Sequence, residues 1–280
     1  MTAESRLSTF VANDGDNIMI LDWPLESGVF LRGVVIVVHG LGEHAGRYEH
    51  VAHRLNEWGF AVRSYDQCGH GESSGPRGSL PTDTRLLDDL ADIVDSTRLR
   101  MGKDVPLILL GHSMGGLVVG RFVSLAIRPV EGLVMSSPAL DPGMSRFQKI
   151  LVSLLPKIVP NLRVGNGLRP EFISHDPEVV AAYLADPLVH DRISARLAGF
   201  IANASAQTLA RARHWTVPTL LMFAGDDRLV NPKGSRTFSA NAPRHLVAGL
   251  CFEDLYHEIF NELDSAPVFD TLQKWLNSRF

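Results

Sequence analysis

Cysteine is nearly absent from this chain. Only Cys68 and Cys251 occur among 280 residues, too few for a disulfide framework, which suits a reducing compartment. Long hydrophobic runs are missing too. No stretch reaches the ~20 apolar residues needed to span a bilayer. The N-terminus from Met1 to Ile20 carries Glu4, Asp14 and Asp16 with no continuous apolar core, unlike a signal peptide. A cytosolic protein is therefore expected, able to touch a membrane only peripherally. Clustered positive charge is also lacking: the net charge is −4 and the basic residues are scattered, which argues against nucleic acid as a partner. Repeats and low-complexity tracts are absent.

What the chain does have is apolar residues enough for a sizeable core, 45% of the total. Its length alone allows one large domain or two small ones. Short runs rich in Val, Ile and Leu alternate with longer polar segments. Val34 to Val38, Ala61 to Tyr65, Leu107 to Leu110, Leu133 to Ser136, Thr219 to Phe223 and a weaker Leu246 to Leu250 read as strands buried on both faces. Asp88 to Arg100, with Leu90, Ile93 and Val94 on one side, and Leu117 to Ala126 read as helices. Such alternation predicts an α/β fold with a mostly parallel sheet, whose chemistry gathers at the carboxyl ends of the strands. One region breaks the pattern. From Asp141 to Thr216 no convincing strand appears, only helical patterns broken by Pro156, Pro160, Pro170, Pro177 and Pro187. The expectation is a helical cap over residues 141–216, inserted in a core made of 1–140 and 217–280.

Two segments fit G-x-S-x-G: Gly71-Glu72-Ser73-Ser74-Gly75 and Gly111-His112-Ser113-Met114-Gly115. The pattern has mechanical meaning only at a sharp strand-to-helix turn, which lifts the serine oxygen above the sheet. The first runs into Pro76-Arg77-Gly78, where no helix starts, and reads as a loop. The second follows Leu107-Ile108-Leu109-Leu110 directly and opens a helix through Leu117, Val118 and Val119. Ser113 is thus the expected nucleophile of an α/β-hydrolase, with small neighbours that a strained turn requires. Gly116 is expected to let the helix approach the sheet.

A serine hydroxyl needs a histidine to take its proton and a carboxylate to orient that histidine. In this fold the order is Ser, acid, His. His245 precedes the last expected strand and sits at the wrong edge; His257 follows it and is the expected base. Gly225-Asp226-Asp227-Arg228 offers two acids after Thr219 to Phe223, and spacing does not separate them. The oxyanion needs two backbone donors. Met114, after the nucleophile, supplies one, and Leu41 in His39-Gly40-Leu41-Gly42 supplies the other.

These motifs extend further. His39-Gly40-Leu41-Gly42-Glu43-His44 with Arg47-Tyr48, Asp66-x-x-Gly69-His70-Gly71-x-Ser73, and Gly111 through Gly116 are followed by Asp176-Pro177-Glu178-Val179 and Tyr183-x-x-Asp186-Pro187-Leu188. Gly225-Asp226-Asp227-Arg228-Leu229 and Tyr256-His257-Glu258 complete the set. Across nearly the whole chain this resembles the monoacylglycerol lipases, of the bacterial type. The resemblance implies that the acid is Asp227, directly before Arg228, and that Glu43, Arg47, His112 and Tyr183 contact glycerol. It implies no metal or organic cofactor. Two departures stand out: Phe260 occupies a position where mammalian members carry a further His, and Gln67-Cys68 replaces the more usual His-Arg, with no evident catalytic consequence.

In the expected cap, Ile150, Leu151, Leu154, Leu155 and Ile158 recur at helical spacing between Phe147 and Val159, with Lys149 and Lys157 among them and Arg146 and Arg163 beside them. Such a stripe covers a core, lines an acyl site or rests transiently on a lipid surface; Pro156 is expected to kink it. An apolar cap meeting Glu43, Arg47 and His112 suits a small lipid ester with a glycerol head. Lysophospholipase or broad carboxylesterase activity keeps the same chemistry. A peptidase would need acidic cap residues such as Glu171 and Glu178 to hold an amine. A non-enzymatic binding protein of this fold would typically lack a triad member, and a haloalkane dehalogenase would want Asp at position 113.

Overall fold

The structure is a computed structural model that describes residues 5–280 apart from 13 and 144; the side chains of 146, 147 and 149 also lie outside the described set. Glu4, and the side chains of Arg146, Phe147 and Lys149 in the expected cap stripe, thus fall outside the description.

Six strands were expected, and each is present within a residue or two: β3 (Gly33–Val38), β4 (Phe60–Tyr65), β5 (Leu107–His112), β6 (Gly132–Ser136), β9 (Thr219–Ala224) and β10 (Val247–Phe252). They pair in parallel in the order β4-β3-β5-β6-β9-β10. Every residue of β3, β4, β5, β6 and β9 is buried, as the Val- and Leu-rich runs demand of strands covered on both faces. The N-terminal part adds what was not foreseen. β1 (Arg6–Val11) and β2 (Asn17–Trp23) form an antiparallel hairpin, with β2 antiparallel to β4, so the sheet has eight strands. β1 is an edge strand exposed on both faces and left no buried run to read.

Helices cover the sheet on both sides. On one face lie α2 (Arg85–Met101) and α3 (Met114–Ser124), which bury Leu86, Leu90, Ile93, Leu117, Val118 and Phe122. The other face takes α1 (Glu49–Glu57), through Val51 and Leu55, and α8 (Ala266–Asn277), through Val268, Leu272 and Leu276. Burying each such side chain contributes about 1.5–3 kcal/mol. The chain reverses after α3 at Ala126, which adopts φ 52°, so the helix ends earlier than its apolar pattern suggested.

Between β6 and β9 the chain forms α4 (Arg146–Ile158), α5 (Pro177–Ala185) and α6 (Ala195–Arg211). It also forms a short antiparallel ribbon of β7 (Arg163–Gly165) and β8 (Arg192–Ser194), which corrects the expectation of no strand here. Three-residue strands are too short to show a period. α4 opens with a capping box, Ser145 Oγ accepting from the Gln148 N–H at 3.2 Å and Gln148 Oε1 from the Ser145 N–H at 2.9 Å. It runs uninterrupted through Pro156. A proline there forfeits one helical hydrogen bond, but its ring lies so close to Gly199 of α6 that a Cβ on Gly199 would sit 2.8 Å from Pro156 Cγ. α6 in turn buries Leu197, Ile201 and Ala204. Behind Lys233–Asn241 (α7), Phe238 completes the same layer against Trp215, ring centroids 4.8 Å apart.

Candidate active site

Strand register decides what meets at the carboxyl edge. Val38 pairs with both Tyr65 and Gly111, and His112 with Ser136, so the loops after β3, β4, β5 and β6 emerge side by side. Ser113 follows β5 and caps α3 with φ 53° and ψ −117°, a left-handed backbone that a non-glycine residue adopts only when its surroundings enforce it. Here they do: the Ser113 N–H donates to Ser136 O at 2.9 Å, and Ser113 O accepts from Ala139 and Leu117 at 2.9 and 3.0 Å. The flanking glycines are steric necessities. A Cβ on Gly115 would lie 2.1 Å from Val38 O, and one on Gly40 would lie 3.2 Å from Ser113 Cβ. Gly116 faces Gly111 O and Pro138, each about 3.0 Å from where its Cβ would stand, as the expected close approach requires.

The other G-x-S-x-G segment is a turn. Ser73 Oγ donates to Asp66 O at 2.6 Å and accepts from the Met19 N–H at 2.8 Å, fastening the loop to β2. Asp66 accepts from the Ala45 and Glu72 amides, both at 2.8 Å, so this motif organises loops.

His257 lies beyond β10, its ring 4.7 Å from that of His112, the residue before Ser113. Its Nδ1–H donates to Asp227 Oδ2 at 2.7 Å, which leaves Nε2 able to accept a proton. Asp227 Oδ1 accepts from the Leu229 and Val230 amides, both at 2.9 Å. Asp226 instead pairs in solvent with Arg228 at 2.9 Å. His245 is exposed before β10, at the opposite edge. Burial opposes the charged form of His257, but Asp227's charge and hydrogen bond, with Glu258 and Glu43 further off, outweigh it and raise the pKa above its ordinary value. For Asp227 burial acts upward, yet His257 and the two amides hold its pKa below the ordinary value. His112 is pushed down to about 3, chiefly by burial and then by neighbouring His257, and stays neutral; its Nδ1 lies 3.2 Å from Ser136 Oγ.

Among the described residues neither the Leu41 nor the Met114 N–H has a protein acceptor. Met114 opens α3, where first-turn amides lack intrahelical partners and the helix dipole favours negative charge. The Leu41 amide is set by its neighbours. His39 is fully buried; its Nε2 accepts from the Gln67 N–H at 2.9 Å, so Nδ1 carries the proton and donates to Gly40 O at 2.8 Å. In a trans peptide the Leu41 N–H then points opposite to that carbonyl. Gln67 Nε2 also donates to His39 O at 2.7 Å, so the departure at Gln67 does bear on this loop.

The four residues implied as glycerol contacts lie near one another but are already engaged. Glu43 Oε1 accepts from the Gly40 N–H at 2.5 Å and from Tyr48 OH at 2.7 Å, while Oε2 meets Arg47 at 2.6 Å. Burial resists its charge, but Arg47 and then His112 and His39 prevail, lowering the Glu43 pKa to about 2. Arg47 sits 4.8 Å from the Tyr183 ring centroid and forms a two-pronged pair with Glu258. The sequence reading gave no role to Glu258, Tyr48, His39 and Gln67, and only the short spacing of Glu43 and Tyr48 hinted at their contact. Phe260 is buried against Phe269, ring centroids 5.2 Å apart. Glu171 pairs with Arg169 on the surface and Glu178 is exposed at the start of α5.

Comparison with known proteins follows the same lines. The family model Hydrolase_4, described as serine aminopeptidase S33, matches residues 31–264. A monoacylglycerol lipase of Mycolicibacterium smegmatis is 36% identical over 256 residues, 88% of this chain and 89% of the relative. A phospholipase of Bacillus subtilis is 32% identical, covering 84% of this chain and 92% of its own. The crystal structure of a Paleococcus ferrophilus monoacylglycerol lipase superposes with TM-score 0.82 at 32% identity, covering 99% of this chain and 100% of its own. The chain spans only 29% of the length of an uncharacterized abhydrolase domain-containing protein of Dictyostelium discoideum, with 32% identity over 279 residues. With the family model matched over residues 31–264 and these relatives alongside it, the chain belongs to the Hydrolase_4 family of α/β-hydrolases and is a relative of monoacylglycerol lipases.

Proposed function

We propose that this protein hydrolyses the ester bond of monoacylglycerols to glycerol and a fatty acid through an acyl-enzyme. The observation that carries the reading is the bond of His257 to Asp227, with the His257 ring 4.7 Å from that of His112, the residue before Ser113 on its strained turn, in a relative of monoacylglycerol lipases. Ser113 Oγ attacks the ester carbonyl while His257 Nε2 takes its proton; Asp227 holds the tautomer and balances the imidazolium. The Leu41 and Met114 amides bind the oxyanion of the tetrahedral intermediate, each worth about 3 kcal/mol. His257 then protonates the departing glycerol oxygen, and later accepts a proton from the water that releases the fatty acid.

Residues 141–216 act in this scheme as a cap over the ester. A half-open apolar groove of about 170 Å³ runs between α4, the β7–β8 ribbon and α6, lined by Leu151, Leu155, Leu162, Ile193 and Ala198, and is an apolar surface of this cap separate from the residues around Ser113 and His257. Outside, Ile150, Leu154 and Ile158 follow one another at four-residue spacing and are 55%, 49% and 73% exposed, which supports docking on a lipid surface. No helix among the described residues is long and apolar enough to cross a membrane. Glu43 and Arg47 shape the polar end for a neutral head, with His112 and Tyr183 beside them.

The Bacillus subtilis relative is a phospholipase, and lysophospholipid, which the same ester chemistry would cleave, is the competing substrate. Initial rates on a long-chain monoacylglycerol, its di- and triacyl counterparts and a lysophosphatidylcholine test the assignment. A monoacyl preference of roughly tenfold or more, about 1.4 kcal/mol, is expected. Equal or faster turnover of the lysophospholipid would transfer the assignment to that class.

A further inference from the structure

Glu258 follows the base directly in sequence, and its contacts run away from the base. Its N–H donates to Ile173 O at 2.8 Å and its carboxylate accepts from Asn261 Nδ2 at 2.7 Å. Arg47 grips the same carboxylate with both prongs, Nη1 to Oε1 at 2.7 Å and Nη2 to Oε2 at 2.8 Å, across 211 residues of sequence. Arg47 Nη1 also meets Glu43 Oε2, and Glu43 Oε1 accepts from the Gly40 N–H. All three charged groups are largely shielded, with side chains 12%, 4% and 7% exposed for Arg47, Glu43 and Glu258. A line of charge-assisted bonds therefore joins the residue after the base to the amide just before the Leu41 donor.

We propose that Glu258 is a positioning residue for the oxyanion loop, acting on it through Arg47 and Glu43. The inference rests on Leu41 as an oxyanion donor and not on the identity of the ester. Planar two-pronged pairing fixes the guanidinium plane as a single ion contact cannot. Without Glu258, Arg47 keeps Glu43, its neighbour on the same loop, and the face of Tyr183, and the charged tie from that loop to the residue after the base is lost. Buried charges that lose one partner are costly, so the three groups hold together as a unit. The proton-transfer and oxyanion halves of the site then share one frame.

The test uses a soluble p-nitrophenyl ester and an alkylboronic acid, whose adduct with the serine oxygen mimics the tetrahedral oxyanion. Glu258→Gln is expected to lower kcat by roughly tenfold to a hundredfold, the scale of a weakened oxyanion donor, with KM nearly unchanged. Boronate affinity should fall by the same factor. Asn261→Ala, which loosens the Glu258 carboxylate without removing a charge, should show both losses in smaller measure. In an Arg47→Gln background, Glu258→Gln should cost nothing further. Unchanged boronate affinity, additive losses, or a kcat deficit that vanishes on moving the pH would each overturn the proposal. Hydrolysis of the p-nitrophenyl ester without hydrolysis of monoacylglycerol would leave it intact while removing the proposed substrate.

Discussion

Asp226 and Asp227 stand side by side after β9, one half-exposed with Arg228 and the other buried with His257. Spacing could not separate them, because both lie in the same turn and only the path of the chain decides which carboxylate points inward. Asp227→Asn should lower kcat by about 10⁴, the scale known for removing the orienting acid, whereas Asp226→Asn should leave it nearly unchanged. The pH profile adds a sign. In the proposed mechanism His257 must be neutral to accept the serine proton, and its pKa is raised above the ordinary histidine value, about 6.5. Activity should therefore fall on acidification through a point above pH 6.5. Asp227→Asn removes the main raising influence and should move that point downward. An inflection in kcat/KM that stays in place in the variant would separate His257 from the titration.

At the scale of elements, context was what separated the two copies of the five-residue pattern: the Ser113 copy joins β5 to α3, and the Ser73 copy is a turn. The buried parallel strands were equally legible, since continuous apolar runs bounded by Gly, Pro and polar residues admit few other readings. β1, β7 and β8 were not, because exposed edge strands and three-residue ribbons carry no burial period. In α4 the apolar stripe was visible but not its division into an inner row, Leu151 and Leu155, and an outer row, Ile150, Leu154 and Ile158. That division yields an expectation. Leu154→Asp with Ile158→Asp should reduce sedimentation with phospholipid vesicles, and turnover of long-chain substrate presented in them, by about tenfold or more, given the 1.5–3 kcal/mol of a buried apolar side chain. Hydrolysis of a short soluble ester should stay nearly constant. Equal losses on both substrates would assign the outer row to the fold rather than to a lipid surface.

For the whole molecule, the alternation of strands and helices was enough to predict a parallel sheet and the edge where its chemistry gathers. The ion network of Glu43, Arg47 and Glu258 was not predictable in this way. Glu43 and Arg47 are neighbours on one loop, but Glu258 lies 211 residues from Arg47, and no local period joins it to them. The catalytic assignment has the opposite character, since the strained turn and the chain order of its partners are local and topological facts. It is tested most directly by the initial rate of long-chain monoacylglycerol hydrolysis for the unaltered chain and for Ser113→Ala, with both proteins shown to be folded. The account predicts measurable turnover that drops by roughly a millionfold in the variant; turnover surviving the loss of Ser113 would contradict it.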